Sequence, residues 1–82
     1  MNIEEMIKDE LKSALDYYSW SLELDGLTKS ISKRFYEISK EELSHADLWI
    51  SLFKASGSSK YENYVKEYEE AYKVIYGGGK DE

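Results

Sequence analysis

Residues 22–31 read Leu22-Glu23-Leu24-Asp25-Gly26-Leu27-Thr28-Lys29-Ser30-Ile31, and the turn in their middle organises the chain on either side. Asp25-Gly26 stops a helix arriving from the N-terminal side, and Thr28 is a suitable N-cap for one leaving on the other. There is no proline, and the five glycines sit only at Gly26, Gly57 and the run 77–79. Those breaks leave three stretches long enough for helices, at about residues 3–24, 28–55 and 59–76. Ser56-Gly57-Ser58 ends the second, and Ser59-Lys60-Tyr61-Glu62 fits a capping box for the third. No segment shows a strand pattern, so the fold class is all-α. Residues 1–76 read as one helical domain, with Gly77-Gly78-Gly79-Lys80-Asp81-Glu82 as a flexible tail.

Outward from the turn, apolar residues recur in steps of three and four, the mark of helices packed side by side. The first helix carries Ile3, Ile7, Glu10, Ala14, Tyr17, Ser21 and Leu24 on one stripe, flanked by Leu11, Leu15, Tyr18 and Leu22. The second carries Ile31, Phe35, Ile38, Glu42, His45, Trp49 and Leu52, with Leu43, Ala46, Ile50 and Phe53 beside them. Tyr61, Tyr64, Val65, Tyr68, Tyr72 and Ile75 give the third its apolar face. The expected architecture is an antiparallel hairpin plus a third helix. One hairpin cannot enclose a bundle core, so homodimerisation into a four-helix core is expected to cover what the third helix leaves open.

Composition narrows the function. Eighty-two residues make one small domain, and a chain of this size buries only about 60% of its extended surface. Disulfides, a metal or a partner chain usually make up the difference. With no cysteine, disulfides, iron–sulfur clusters, zinc ribbons and thiol nucleophiles are excluded. A net charge of −6 repels phosphate backbones, which argues against a nucleic-acid partner. No apolar run approaches the roughly 18 residues of a membrane span. The acidic start Met1-Asn2-Ile3-Glu4-Glu5 lacks the order of a secretory signal, so a cytoplasmic location is expected. No glycine-rich phosphate loop occurs, and the single histidine rules out a His-x-x-x-His zinc site within one chain.

The informative residues interrupt the apolar stripes. Burying a carboxylate without a partner costs several kcal/mol, yet Glu10, Glu42 and His45 all fall on stripe positions. Glu42 and His45 are three apart and share a helix face. Glu10 lies sixteen residues before Gly26 and Glu42 sixteen after it, which places them at one height in an antiparallel hairpin. Two carboxylates and an imidazole therefore converge. Asp9 is the weaker alternative to Glu10, facing away from the stripe. Dinuclear carboxylate bundles use one Glu from each of two helices and a Glu-x-x-His from each of the other two. One hairpin supplies one of each, and a twofold copy would supply the rest. The plainer reading is a buried ion pair, Glu42 with His45 or Glu10 with a lysine, that sets helix register. Tyr17, Tyr18 and Trp49, one or two turns away, read first as packing aromatics, with hydrogen bonds to the carboxylates or electron relay as the alternative. Glu41 is read as solvated.

Residues Glu10-Leu11-Lys12-Ser13-Ala14-Leu15-Asp16-Tyr17 and Ile38-Ser39-Lys40-Glu41-Glu42-Leu43-Ser44-His45-Ala46 resemble the ferritin-like di-iron superfamily, nearest its rubrerythrin branch and the encapsulated ferritins. Ala14 and Tyr17 match the small residue and the aromatic that follow the first-helix Glu, and residues 41–46 match the Glu-Glu-x-x-His-Ala signature. The resemblance spans about residues 3–55 and, as in encapsulated ferritins, covers one hairpin per chain. It implies Glu10, Glu42 and His45 as ligands of a dinuclear iron centre at a homodimer interface, with manganese or zinc as alternatives. It also implies oxidation of Fe(II) by O₂ or peroxide, a ferroxidase-type or peroxidase-type activity in iron handling or oxidative-stress protection. Without cysteine there is no rubredoxin domain, so a peroxidase cycle would draw electrons from a separate donor. The tail shows no apolar peptide of the kind that targets cargo to an encapsulin shell. The competing class is a non-enzymatic helical oligomerisation module with a structural metal or none.

Overall fold

Helix α1 (Ile3–Leu24) opens on Asn2, whose side-chain oxygen accepts from the Glu5 amide at 3.1 Å. Glu4 and Glu5 in its first turn complement the helix dipole. The computed structural model describes residues 1–77, all of whose regular structure is helical. Asp25 closes α1, and the amides of Leu27 and Thr28 return to the Leu24 carbonyl at 2.9 Å. Thr28 then turns the chain into α2 (Lys29–Ala55). Its extended backbone suits an N-cap, but its hydroxyl lies near Ser30 Oγ rather than on a helix amide. After α2, Gly57 adopts a φ of 97°, a left-handed conformation that glycine tolerates without a Cβ penalty.

The third helix departs from expectation at both ends. It begins at Tyr61 with no side-chain cap at its start, and the Lys60 amide bonds to Ser58 Oγ at 3.2 Å. The capping box expected from Ser59 and Glu62 is not made, because the Glu62 amide turns to the Ser59 carbonyl at 3.4 Å. The α geometry of α3 (Tyr61–Tyr72) gives way to a π turn, Lys73–Gly77. Gly77, expected to open the tail, instead closes this turn; residues 78–82 lie outside the described part of the chain. The Tyr36 hydroxyl donates to the Ile75 carbonyl at 2.9 Å and fastens the π turn to α2. Lys40 sits 4.7 Å from the Tyr36 ring centre and 5.9 Å from that of Tyr76.

The hairpin is antiparallel, and its register is visible in its contacts. Ser32 Oγ donates to the Ser21 carbonyl at 2.6 Å. Tyr17 meets Phe35 edge-on at 5.4 Å, each nine residues from Gly26. Ala14, Ser39 and Ala46 are fully buried between the helices, which lets the backbones approach closely. The core joins Ile7, Leu11 and Ala14 of α1, Leu43, Ala46, Ile50 and Phe53 of α2, and Tyr64, Ala71 and Ile75 of the third segment.

That core corrects the expected burial. In α2 the flanking line Leu43, Ala46, Ile50 and Phe53 is buried, whereas Ile31 and Leu52 of the expected stripe are 48% and 45% exposed. In α1, Leu15 and Leu22 of the flanking line are themselves exposed. The cause is the position of α3, which packs on one face of the hairpin and draws the core toward itself. The opposite face, with Tyr17, Trp20, Phe35, His45, Trp49 and Leu52, stays partly or largely uncovered. Among the described residues, no helix is long and apolar enough to cross a membrane.

Candidate metal centre

Glu10 reaches the open face from α1, and Glu42 and His45 reach it from successive turns of α2. His45 Nδ1 lies 3.0 Å from Glu42 Oε1 and 3.8 Å from Glu10 Oε2. One ligand atom from each of the three falls within 4.8 Å of the others. Donors about 2.1 Å from a common metal stand roughly 3.0–3.4 Å apart at right or tetrahedral angles, so small side-chain adjustments would bring this trio onto one ion. The sequence-derived candidates are thus brought together. The site is not inside the core, however. Glu10 and Glu42 are half-buried, and the His45 side chain is 52% exposed, because no element among the described residues roofs this face.

Among the described residues, neither Glu10 nor Glu42 pairs with a lysine or arginine, and their only ionic partner is His45. The Glu10 carboxyl is held above its usual range, chiefly by burial and then by the hydrogen bond and negative charge of Glu42. His45 and Trp49 pull it the other way. A half-buried acid beside a second acid, with only an imidazole to balance them, is a donor set that a divalent cation would satisfy.

The surroundings separate the other candidates. Tyr17 and Trp49 share the face of the cluster. Tyr18 turns to the α3 side, where its ring lies 6.1 Å from Tyr36. Glu41 is exposed and takes Arg34 at 3.2 Å, in keeping with a solvated role. Asp9 is exposed and outside the cluster. Trp20, which lies off the heptad stripe, packs edge-on to Tyr17 at 5.3 Å and to Phe35 at 6.5 Å. Its three-residue spacing from Tyr17 was the sequence signal for that contact. Beside His45, the side chains of Leu48, Trp49 and Leu52 frame a depression of about 270 Å³.

No protein-family model, curated protein or solved structure matches the chain. What fold and site define is a class: among the described residues, an all-helical protein with a cluster of two carboxylates and an imidazole that could hold a metal ion, on an uncovered hairpin face.

Proposed function

We propose that this chain is half of a ferritin-like dinuclear bundle. Two copies related by a twofold axis appose their open faces, and Glu10, Glu42 and His45 of both chains surround two metal ions. The carrying observation is that these three side chains, drawn from two helices, close to within 4.8 Å on a face that α3 leaves bare. Glu10, Glu42 and His45 would hold the metal, the carboxylates balancing its charge and the imidazole completing a donor set suited to iron and also acceptable to manganese or zinc. When bound, such a centre supplies the redox chemistry that takes Fe(II) to Fe(III) with O₂ or peroxide as acceptor. Trp20, Phe35, Trp49 and Leu52, covered by the partner copy, wall the site from water and limit escape of reactive oxygen products. Cation binding offsets the repulsion between Glu10 and Glu42, which couples assembly to metal.

A second reading has its own observation. The 3.0 Å contact between His45 and Glu42 satisfies both groups without a metal, as in a helical interaction module whose polar pairs set register. Metal analysis separates the two readings. Protein purified without an affinity tag is loaded with Fe(II), desalted and compared with a Glu42→Ala/His45→Ala variant. The dinuclear reading expects about one iron per chain in the parent and none in the variant. Equal iron in both, or none in either, leaves the register pair. Fe(II) oxidation faster than that of free iron in the same buffer then distinguishes turnover from a structural metal.

A further inference from the structure

On the face that carries α3, the π turn stops at Tyr36, and among the described residues the length of hairpin beyond it is an open groove of about 410 Å³. Its floor is Ser21 and Ser32, both buried, at a level where small side chains leave depth between the helices. Both hydroxyls are engaged internally: Ser32 Oγ donates to the Ser21 carbonyl and Ser21 Oγ to the Tyr18 carbonyl, each at 2.6 Å. Tyr18, Tyr36 and the 59% exposed Leu22 form the walls. The groove is thus lined for an apolar body.

Its rim is cationic in a chain of net charge −6. Lys29 and Lys33 border the groove with a single carboxylate, Asp25. Asp25 takes Lys29 at 3.2 Å, and among the described residues Lys33 makes no ion pair. We infer that this groove binds a small amphipathic carboxylate of the medium-chain fatty-acid type. The apolar body lies over Leu22 between the two tyrosine rings, and the carboxylate pairs with Lys33. The volume is in the range of small-molecule sites, about 300–1,000 Å³. A cationic headgroup would meet the lysines with repulsion, and a neutral one would leave Lys33 without a counter-charge. The groove faces away from Glu10, Glu42 and His45, so this inference is independent of the metal reading.

Calorimetry and amide chemical-shift mapping with decanoate, decanol and decylammonium on the full chain test it. Decanoate binds, its shifts centre on Tyr18, Leu22, Ser32 and Tyr36, and decanol and decylammonium bind at least tenfold more weakly. Lys33→Glu and Leu22→Asp each weaken decanoate at least tenfold, with helical circular dichroism unchanged because both side chains are exposed. The inference is overturned by absence of decanoate binding, by equal binding of decanol, by shifts centred on Trp20, Phe35 and Trp49, or by unaltered affinity in Lys33→Glu. Binding to anionic phospholipid vesicles without binding to monomeric decanoate also overturns it, and assigns the two lysines to a lipid surface.

Discussion

Glu10 and Glu42, sixteen residues to either side of Gly26, address one imidazole: His45 Nδ1 stands 3.8 Å from the first carboxylate and 3.0 Å from the second. Without a cation this arrangement places two acids against one weak base at the edge of a small core. The first prediction follows from that imbalance.

Replacing Glu10 with Gln removes a partly desolvated charge and its repulsion with Glu42 while keeping the shape of the side chain. The metal-free variant should melt above the metal-free parent near neutral pH, each kcal/mol being worth roughly 4–8 °C in a chain of this size. The same variant should lose iron uptake. A melting point below that of the parent would instead mark Glu10 as part of a stabilising register pair.

The open face should govern association without governing the fold. Leu52 is 45% exposed and adjoins His45 in the depression on that face. Leu52→Asp should therefore leave monomer stability within about 0.5 kcal/mol but reduce self-association at least tenfold by sedimentation. Ile7→Ala, at a fully buried position, should cost about 2–5 kcal/mol. Equal self-association of Leu52→Asp and the parent would remove this face as the dimer surface.

At alkaline pH the sensitive contact is between Tyr64 and Glu4. The Tyr64 hydroxyl donates to Glu4 Oε1 at 2.6 Å, and its pKa is pushed up to about 12, first by that hydrogen bond and then by burial. Since the folded state favours the protonated phenol, the contribution is complete below pH 10 and is lost as pH rises toward 12. Tyr64→Phe should lower stability by about 1–2 kcal/mol at pH 8. It should also flatten the decline between pH 10 and 12, as followed by denaturant titration at each pH.

Among the described residues, one long-range hydrogen bond joins the buried Ile75 of the π turn to α2. Tyr36→Phe removes the donor to the Ile75 carbonyl, at a cost of about 1 kcal/mol. Amide exchange should accelerate across residues 73–77 well before it does in α1 and α2. Uniform acceleration across all three helices would mean that the turn is not a separable unit.

The sequence determined the helical class, α1 to the residue, α2 to within one residue at its start, and the height at which Glu10, Glu42 and His45 meet. These are local properties: helix stops act within a turn, and equal rise per residue makes equal offsets from a hairpin turn coincide in height. Tertiary structure alone decided which of two adjacent stripes was buried. Leu43 and Glu42 differ by about 100° around α2, and both lines have helical spacing, so periodicity treats them alike. The side on which α3 docks breaks that tie, burying Leu43, Ala46 and Ile50 and leaving His45 and Leu52 on the open side. The same docking fastened the C-terminal end of the third segment, while its start was set by local contacts. The Glu62 amide that the capping box would have claimed went to the Ser59 carbonyl at 3.4 Å, and Tyr36, 39 residues away in sequence, took the carbonyl of Ile75. The groove at Lys33 is likewise made between segments, by Tyr18, Ser21 and Leu22 of α1 and Ser32, Lys33 and Tyr36 of α2, and no spacing within one of them records it.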